Sequence, residues 1–208
     1  ELLLAYDRPG VTRAWVNNGG DIALHLTAGT SFRIGLFAQI ERLARLDLSH
    51  SLPIDGSFEV AHSSMIRGVA TSGWRGRSFS LGIADSVTVL APTASEADAA
   101  ASLIGNDVNV DAPGIVRVPA HQLKDDSDLG DIPVTVDVPP LTAEQVAQAL
   151  RAGREHAMVL RAAGHIQACF ITCQGWAIST ETPDIAPLAL NNTYDRGAAN
   201  SVVRAQEL

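Results

Sequence analysis

Bulky aromatic side chains are scarce in this sequence, at 5% of residues, so the core has to be assembled mainly from Ala, Val, Leu and Ile. Cysteine is scarcer still. The two present, Cys169 and Cys173, lie in GHIQACFITCQGW, a β-branched, apolar stretch that reads as a strand. On a strand, residues four apart stand roughly 13 Å from each other, too far for a disulfide. His165, Cys169 and Cys173 are expected to share one face of that strand. A straight row cannot converge on one metal ion without another element, so the thiols read as buried and structural. Nothing here requires an oxidising compartment, and a cytoplasmic location is expected.

No run reaches the roughly 18 apolar residues that span a membrane, and no signal peptide is visible. Positive charge is also in deficit. Fifteen Lys and Arg face 23 Asp and Glu, giving a net charge of −8 and a pI near 5.1. Nucleic acid is therefore not expected as a main partner, because phosphate backbones demand a basic face. Arg67, Arg75 and Arg77 are a local exception, either a solvated loop or a place for an anion.

The 208 residues fit one domain covering positions 1–208, long enough to bury roughly 70% of the unfolded surface. The sequence starts at Glu1 within ELLLAYDR, which reads as the end of a helix stopped by Pro9-Gly10. An N-terminal portion is expected upstream, or from another chain, so a homo-oligomer or a partner chain is anticipated. Two alternating runs, 11–16 and 21–26, flank Asn17-Asn18-Gly19-Gly20 and predict a β-hairpin. A strand over 32–40, an irregular stretch at 43–48, a turn at 53–56 and short strands at 58–60 and 66–70 follow. Residues 71–73 read as a polar turn, 74–85 as a basic loop, and 86–91 as an apolar strand buried on both faces. Thr93 or Ser95 then caps a small-residue helix, with Glu96 and Asp98 in its first turn. Residues 106–113 read as loop, 115–118 as strand, 124–131 as a solvated acidic loop, and 134–138 as strand. Thr142 and Gln145 form a capping box for a helix bent near Gly153 and ending at Gly164. The cysteine strand and a strand at 176–180 close the pattern. Successive short strands with tight turns indicate an antiparallel or mixed sheet and an α+β fold, not a βαβ winding.

Three polar clusters stand out: Asn17 to Asp21, Thr71 to Gly73, and Asp98 with Ser102. The hairpin glycines have a purely conformational explanation in the positive φ of a tight turn. Asp98 and Ser102, four apart on a helix, face the same way. They are oxygen ligands suited to a hard cation such as Mg²⁺, or the ordinary acid and small polar residues of a helix start.

In order, the chain has an Asn-x-Gly-Gly-Asp hairpin, then Ala-Thr-Ser-Gly, then Asp-Ser-Val-Thr-Val, then Ala-Asp-x-x-x-Ser at a helix start. That series resembles the ApbE-type FAD:protein FMN transferases over about residues 2–104. The resemblance implies an ApbE-like roll of mixed sheets with helices packed outside. It implies a flavin site lined by Asn18, Gly19, Gly20 and Asp21 and by Thr71, Ser72 and Gly73. It also implies magnesium held by Asp98 and Ser102, where Ser102 stands for the family's usual Thr and keeps the hydroxyl. FAD would be the substrate, and Arg75 or Arg77 would clamp its phosphates. The chain looks most like an uncharacterised bacterial and archaeal branch of that fold.

Two departures set it apart from the transferases. They carry a His-Ile-Ile-Asp-Pro-x-Thr-Gly segment where this chain has residues 74–85, which include Arg75, Arg77 and Ser80 but no His or Pro. Their N-terminal portion would also fall before Glu1. Three functions therefore stay open: a Mg²⁺-dependent FAD transferase or pyrophosphatase, another enzyme on this fold acting on a small anionic molecule, and a non-catalytic binding or assembly subunit.

Overall fold

The computed structural model describes residues 9–36, 56–181, 184–187 and 202–204. The fold is α+β, as the run of short strands predicts. In chain order it has β1 (Arg13–Asn18), β2 (Asp21–Leu26), β3 (Ser31–Leu36), β4 (Gly56–Ala61), β5 (Gly68–Ser72), β6 (Ser86–Ala91) and helix α1 (Ala94–Asp107). These are followed by β7 (Val116–Pro119), β8 (Pro133–Asp137), helix α2 (Ala143–Ala162), β9 (Ala168–Cys173), β10 (Trp176–Ser179), β11 (Ala186–Pro187) and β12 (Val202–Arg204). One sheet has the order β1-β2-β5-β6-β9-β10-β11, with every neighbouring pair antiparallel. A smaller sheet, β12-β4-β3, and a β7-β8 ribbon accompany it.

The predicted helix over 1–8, the irregular stretch at 43–48, the last residues of the third predicted strand and most of the turn at 53–56 lie outside the described residues. Among the described residues, no helix is long and apolar enough to cross a membrane.

All six residues of β6 are buried, because both of its faces are covered. Alternation sends successive side chains to opposite faces. Val87, Val89 and Ala91, with Ala70 of β5 and Ile171 of β9, pack beneath Ala97, Ala101 and Ile104 of α1 and Val146, Ala149 and Leu150 of α2. Leu90 points the other way and packs with Leu24, Leu26 and Val69 against Phe58 and Val60 of β4. The large sheet is thus a middle layer between two helices and the small sheet.

Its second face changes character along the strands. Beyond Leu90 and Val69 it carries hydroxyls. Thr71 Oγ1 and Thr88 Oγ1 are 2.9 Å apart, and Ser86 Oγ and Thr172 Oγ1 are 2.8 Å apart. Pairing hydroxyls across strands satisfies polar groups that burial would otherwise leave costly.

Local signals account for the element ends. Gly19 and Gly20 both have positive φ at the β1–β2 turn, and Gly20 N–H donates to Asn17 Oδ1 at 2.8 Å. Thr93 caps α1 by accepting from Glu96 N–H at 3.2 Å. The predicted capping box is present, with Gln145 N–H on Thr142 Oγ1 at 3.2 Å and Thr142 N–H on Gln145 Oε1 at 2.9 Å.

Four local expectations are corrected. Helix α1 continues to Asp107 instead of giving way to loop at Asn106, since Ile104 and Gly105 are still buried against the sheet. Helix α2 runs unbroken through Gly153, which is buried where a Cβ would stand 2.3 Å from Val108 Cγ2. Glycine is there for close approach and not for a bend. His165 precedes β9 and is exposed, so it does not share a face with the cysteines. Thr71 and Ser72 are strand and not turn, as described below.

Cys169 and Cys173 are buried and free, as the spacing argument requires. Burial pushes the Cys173 thiol up to about 12 and raises Cys169 further. The thiolate is the reactive form, so neither cysteine is expected to react with a disulfide reagent at pH 8 in the native protein. Both should react once it is unfolded, and colorimetric thiol counting with and without denaturant checks this. A full native titre would contradict the burial.

Candidate functional site

Strands β2 and β5 pair at only two positions, Ile22 with Val69 and Ala23 with Gly68. Past them the β1–β2 tip and the end of β5 run apart and leave a cleft of about 950 Å³. That volume lies in the range of small-molecule and cofactor sites. The tip contributes Asn18, Gly19, Gly20 and Asp21, and the β5 end contributes Thr71, Ser72 and Gly73. Arg75 and Arg77 come from the loop after β5, and Asp98 and Ser102 from α1. Every residue assigned to a site by the motif series therefore borders one cavity. Arg67 does not, because its guanidinium donates to the carbonyls of His62, Ser64 and Ile66 at 2.6 to 2.9 Å and staples a turn.

Residues 71–73 reach the cleft differently from the expected turn. Thr71 pairs with Thr88 and Ser72 with Val87, so β5 runs one step short of Gly73. Thr-Ser-Gly reads as a turn in isolation because such residues bond their own backbone; here the ladder to β6 takes those groups. The chain turns after Gly73, whose missing side chain matters. A Cβ there would stand 2.4 Å from the carbonyl oxygen of Asp85.

Helix α1 lies directly on β5. A Cβ on Gly68 would stand 2.1 Å from the Thr93 carbonyl, and Gly105 faces Ser72 Oγ at 3.8 Å from its own Cβ position. This close seating brings the exposed face of α1, with Asp98 and Ser102, to the cleft. Asp98 opens the second turn instead of lying in the first, since the helix begins at Ala94.

The charges are arranged in opposition. Asp21 is held above the ordinary aspartate value of 3.8, first by burial and then by the Asp98 carboxylate, while Arg77 pulls it down. A carboxylate with a raised folded pKa stabilises the fold below its unfolded value and loses that contribution as pH rises through the folded value. In ligand-free protein, Asp21→Asn is therefore expected to be more stable than the wild type at pH 7. The gap should close as pH falls toward 3.8. Urea midpoints across that window test this, and a less stable Asn variant at pH 7 would contradict it.

Several cleft residues carry no local signal of their role. Asp85 accepts from the Gln174 N–H at 2.5 Å and pairs with Arg75 Nε at 3.7 Å. Gln174 sits at φ +46 in the β9–β10 turn, accepts from Leu141 N–H at 2.9 Å and donates to the Pro139 carbonyl at 2.7 Å. Asp85, Ser86, Thr88, Gln174 and Gly175 all line the cleft. Asp85 stands in the Asp-Ser-Val-Thr-Val motif, a signal that was available. Gln174 arrives only through the pairing of β6 with β9.

Comparison with known proteins finds relatives of the chain. The family model described as AbpE bacteria matches residues 1–180. A UPF0280 protein of Methanosarcina barkeri is 38% identical over 104 residues, covering 50% of this chain and 36% of the relative. A UPF0280 protein of Methanococcus maripaludis is 43% identical over 101 residues, 46% of this chain and 36% of the relative. The match to a UPF0280 protein of Methanosarcina acetivorans has the same 38% identity over 104 residues. The matched part thus spans about a third of these relatives, at 36% of their length. No solved structure gives a significant match.

Proposed function

The chain belongs to the family described as AbpE bacteria, and from that premise we propose that its cleft binds FAD and magnesium and cleaves the flavin pyrophosphate. The reaction is either transfer of FMN to an acceptor hydroxyl or hydrolysis to FMN and AMP. One observation carries the reading: motif residues from Asn18 to Ser102 converge on a single cavity, with two mutually repelling carboxylates among them.

The donor set fits a hard divalent cation. Asp21, Asp98 and Ser102 offer only oxygen, and Asp21 is raised first by burial and then by the Asp98 charge, a repulsion that a bound cation would relieve. Among the described residues no three His, Cys, Asp or Glu side chains gather as a metal group. The set therefore leans on a hydroxyl and leaves positions for substrate phosphate and water, the habit of magnesium more than of zinc. When bound, magnesium neutralises phosphate charge and polarises the phosphorus under attack.

The chain's own groups do the rest. Asn18 to Gly20 and Thr71 to Gly73 present backbone and hydroxyl groups to the nucleotide from two sides of the cleft. Arg75 and Arg77 offer guanidinium groups, which match phosphate oxygens in pairs. An acceptor hydroxyl or water attacks the FMN-side phosphorus, the bridging P–O bond breaks, and AMP leaves with the bridging oxygen. The attacker's proton passes to solvent. Incubation with FAD and Mg²⁺, followed by chromatography for AMP, tests the reading. Absence of AMP with both water and a hydroxyl acceptor protein present would defeat it.

The loop at 74–85 supports a second reading, in which the same cleft serves another small phosphate-bearing molecule. Calorimetry comparing FAD with non-flavin nucleotides separates the two.

A further inference from the structure

The loop between β5 and β6 is built in two halves. Its second half is pinned. Leu81 N–H donates to Asn106 Oδ1 at 2.9 Å, Ile83 N–H to the Val108 carbonyl at 2.8 Å, and Thr135 N–H to the Ser80 carbonyl at 2.8 Å. Its first half, residues 75–78, is exposed along the cleft mouth.

The two arginines of that exposed half are not equivalent. Arg75 is turned to the base of the loop, 3.7 Å from the Asp85 carboxylate and stacked 4.9 Å over the Trp74 ring. Arg77 crosses to the opposite wall. Its Nη2 lies 1.8 Å from where a Cβ on Gly19 would stand, so the guanidinium occupies the space that glycine leaves open. Asp21, two residues on, feels its charge.

We propose that Arg77 is the specificity-determining residue of the cleft, resting on Gly19 beside Asp21 when the site is empty and gripping a phosphoanhydride when substrate enters. The inference rests on the reading of the cleft as a site for phosphate-bearing nucleotides and sharpens it to one side chain. A chain of net charge −8 repels an anionic ligand, so a local cation is needed to admit one. A guanidinium gives that charge with a planar fork that fits two phosphate oxygens, which ammonium does not. A divalent cation arriving at Asp21 and Asp98 takes over the charge that attracts Arg77 and frees it for the phosphate. Cation and pyrophosphate should therefore each strengthen binding of the other.

The test is calorimetric titration of the full chain with inorganic pyrophosphate, with and without Mg²⁺. Arg77→Ala is expected to weaken Mg²⁺-supported binding by about 10- to 100-fold, the loss of one charge-assisted paired contact. Arg77→Lys should recover only part of that loss, because the charge returns without the fork. Arg151→Ala, an exposed arginine of α2 that does not line the cleft, should bind as wild type. The thermal midpoint of Arg77→Ala should fall only slightly, since Arg77 is exposed and the fold loses chiefly its attraction for Asp21. Wild-type affinity in Arg77→Ala, full recovery in Arg77→Lys, or no pyrophosphate binding by the wild type would each overturn the proposal. The flavin reading fails separately. Arg77-dependent pyrophosphate binding without AMP release from FAD leaves this inference standing, and FAD turnover unchanged in Arg77→Ala removes it alone.

Discussion

Asp98→Ala is expected to cut Mg²⁺-dependent AMP release from FAD by about 10²- to 10³-fold, the usual cost of deleting one group that stabilises charge in the transition state. The expectation follows from position. Asp98 is exposed on α1, borders the cleft and raises the neighbouring Asp21 through its charge. Removing it leaves one carboxylate and one hydroxyl, too few anchors for a cation that must also hold phosphate. The same change should not harm the fold. Alanine is a better helix former than aspartate, and the repulsion of Asp21 disappears. Loss of turnover at an undiminished thermal midpoint therefore separates a site effect from unfolding. A second readout needs no turnover. If Mg²⁺ raises the thermal midpoint of the wild type, as a ligand of the folded state does, Asp98→Ala should lose that rise. Ser102→Ala should show both effects in weaker form, since a neutral hydroxyl gives up less than a carboxylate. Turnover and Mg²⁺ response intact in Asp98→Ala would remove metal binding at this position and with it the proposed reaction.

The parts of this fold that were legible are those fixed by neighbours in sequence. Asn-Gly-Gly specified the β1–β2 turn through the φ that glycine allows. The apolar run at 86–91 specified a strand covered on both sides, and Thr93, Thr142 and Gln145 specified helix starts through bonds to their own first turns. Where partners distant in sequence decide, local reading failed. Thr71 and Ser72 have turn chemistry, but β6 holds them extended. Gly153 looked like a helix break because glycine costs about 1 kcal/mol in a helix interior. Val108 and Ile171 instead need its missing side chain, and the packing outweighs that cost. His165 fell outside its strand because β9 begins only where β6 can pair with it, at Ala168.

The site shows the same division. Its motif residues were legible as a series, but their meeting was not. It depends on a β2–β5 pairing two positions long and on the seating of α1 over β5. Asp85 and Gln174 were missed for this reason. Asp85 stands inside the Asp-Ser-Val-Thr-Val motif, but its bond to Gln174 joins segments far apart in sequence, and nothing local announces that partner.

If the seating of α1 makes the site, disturbing it at a distance should damage both fold and function, and Gly68 is the place. Its φ lies outside the left-handed region, so alanine there carries no backbone strain. Its cost is steric. The added Cβ would stand 2.1 Å from the Thr93 carbonyl carbon and oxygen and 2.3 Å from Ala94 N. These are backbone atoms, which no rotamer change can move aside, and Thr93 is the cap of α1. Either β5 bows or the helix start lifts. Overpacking of this kind costs typically 1–3 kcal/mol, and the rigid neighbours put Gly68→Ala at the top of that range, about 3 kcal/mol. For a chain of this size the thermal midpoint should fall by about 6–12 °C. Gly29→Ala is the contrasting case. Gly29 has φ +78 with open space around its Cβ position, so alanine there meets strain of about 1–2 kcal/mol and no clash. Gly29 does not line the cleft, so its variant should keep full pyrophosphate binding and AMP release. Gly68→Ala, by shifting the helix that carries Asp98 and Ser102, should lose about 10²-fold in turnover even at temperatures where it remains folded, as small displacements of positioned groups do. Equal activity in the two folded variants would mean that α1 can lift from β5 without moving its carboxylate. The cleft would then owe its geometry to the β1–β2 tip and the loop at 74–85 instead of to the helix.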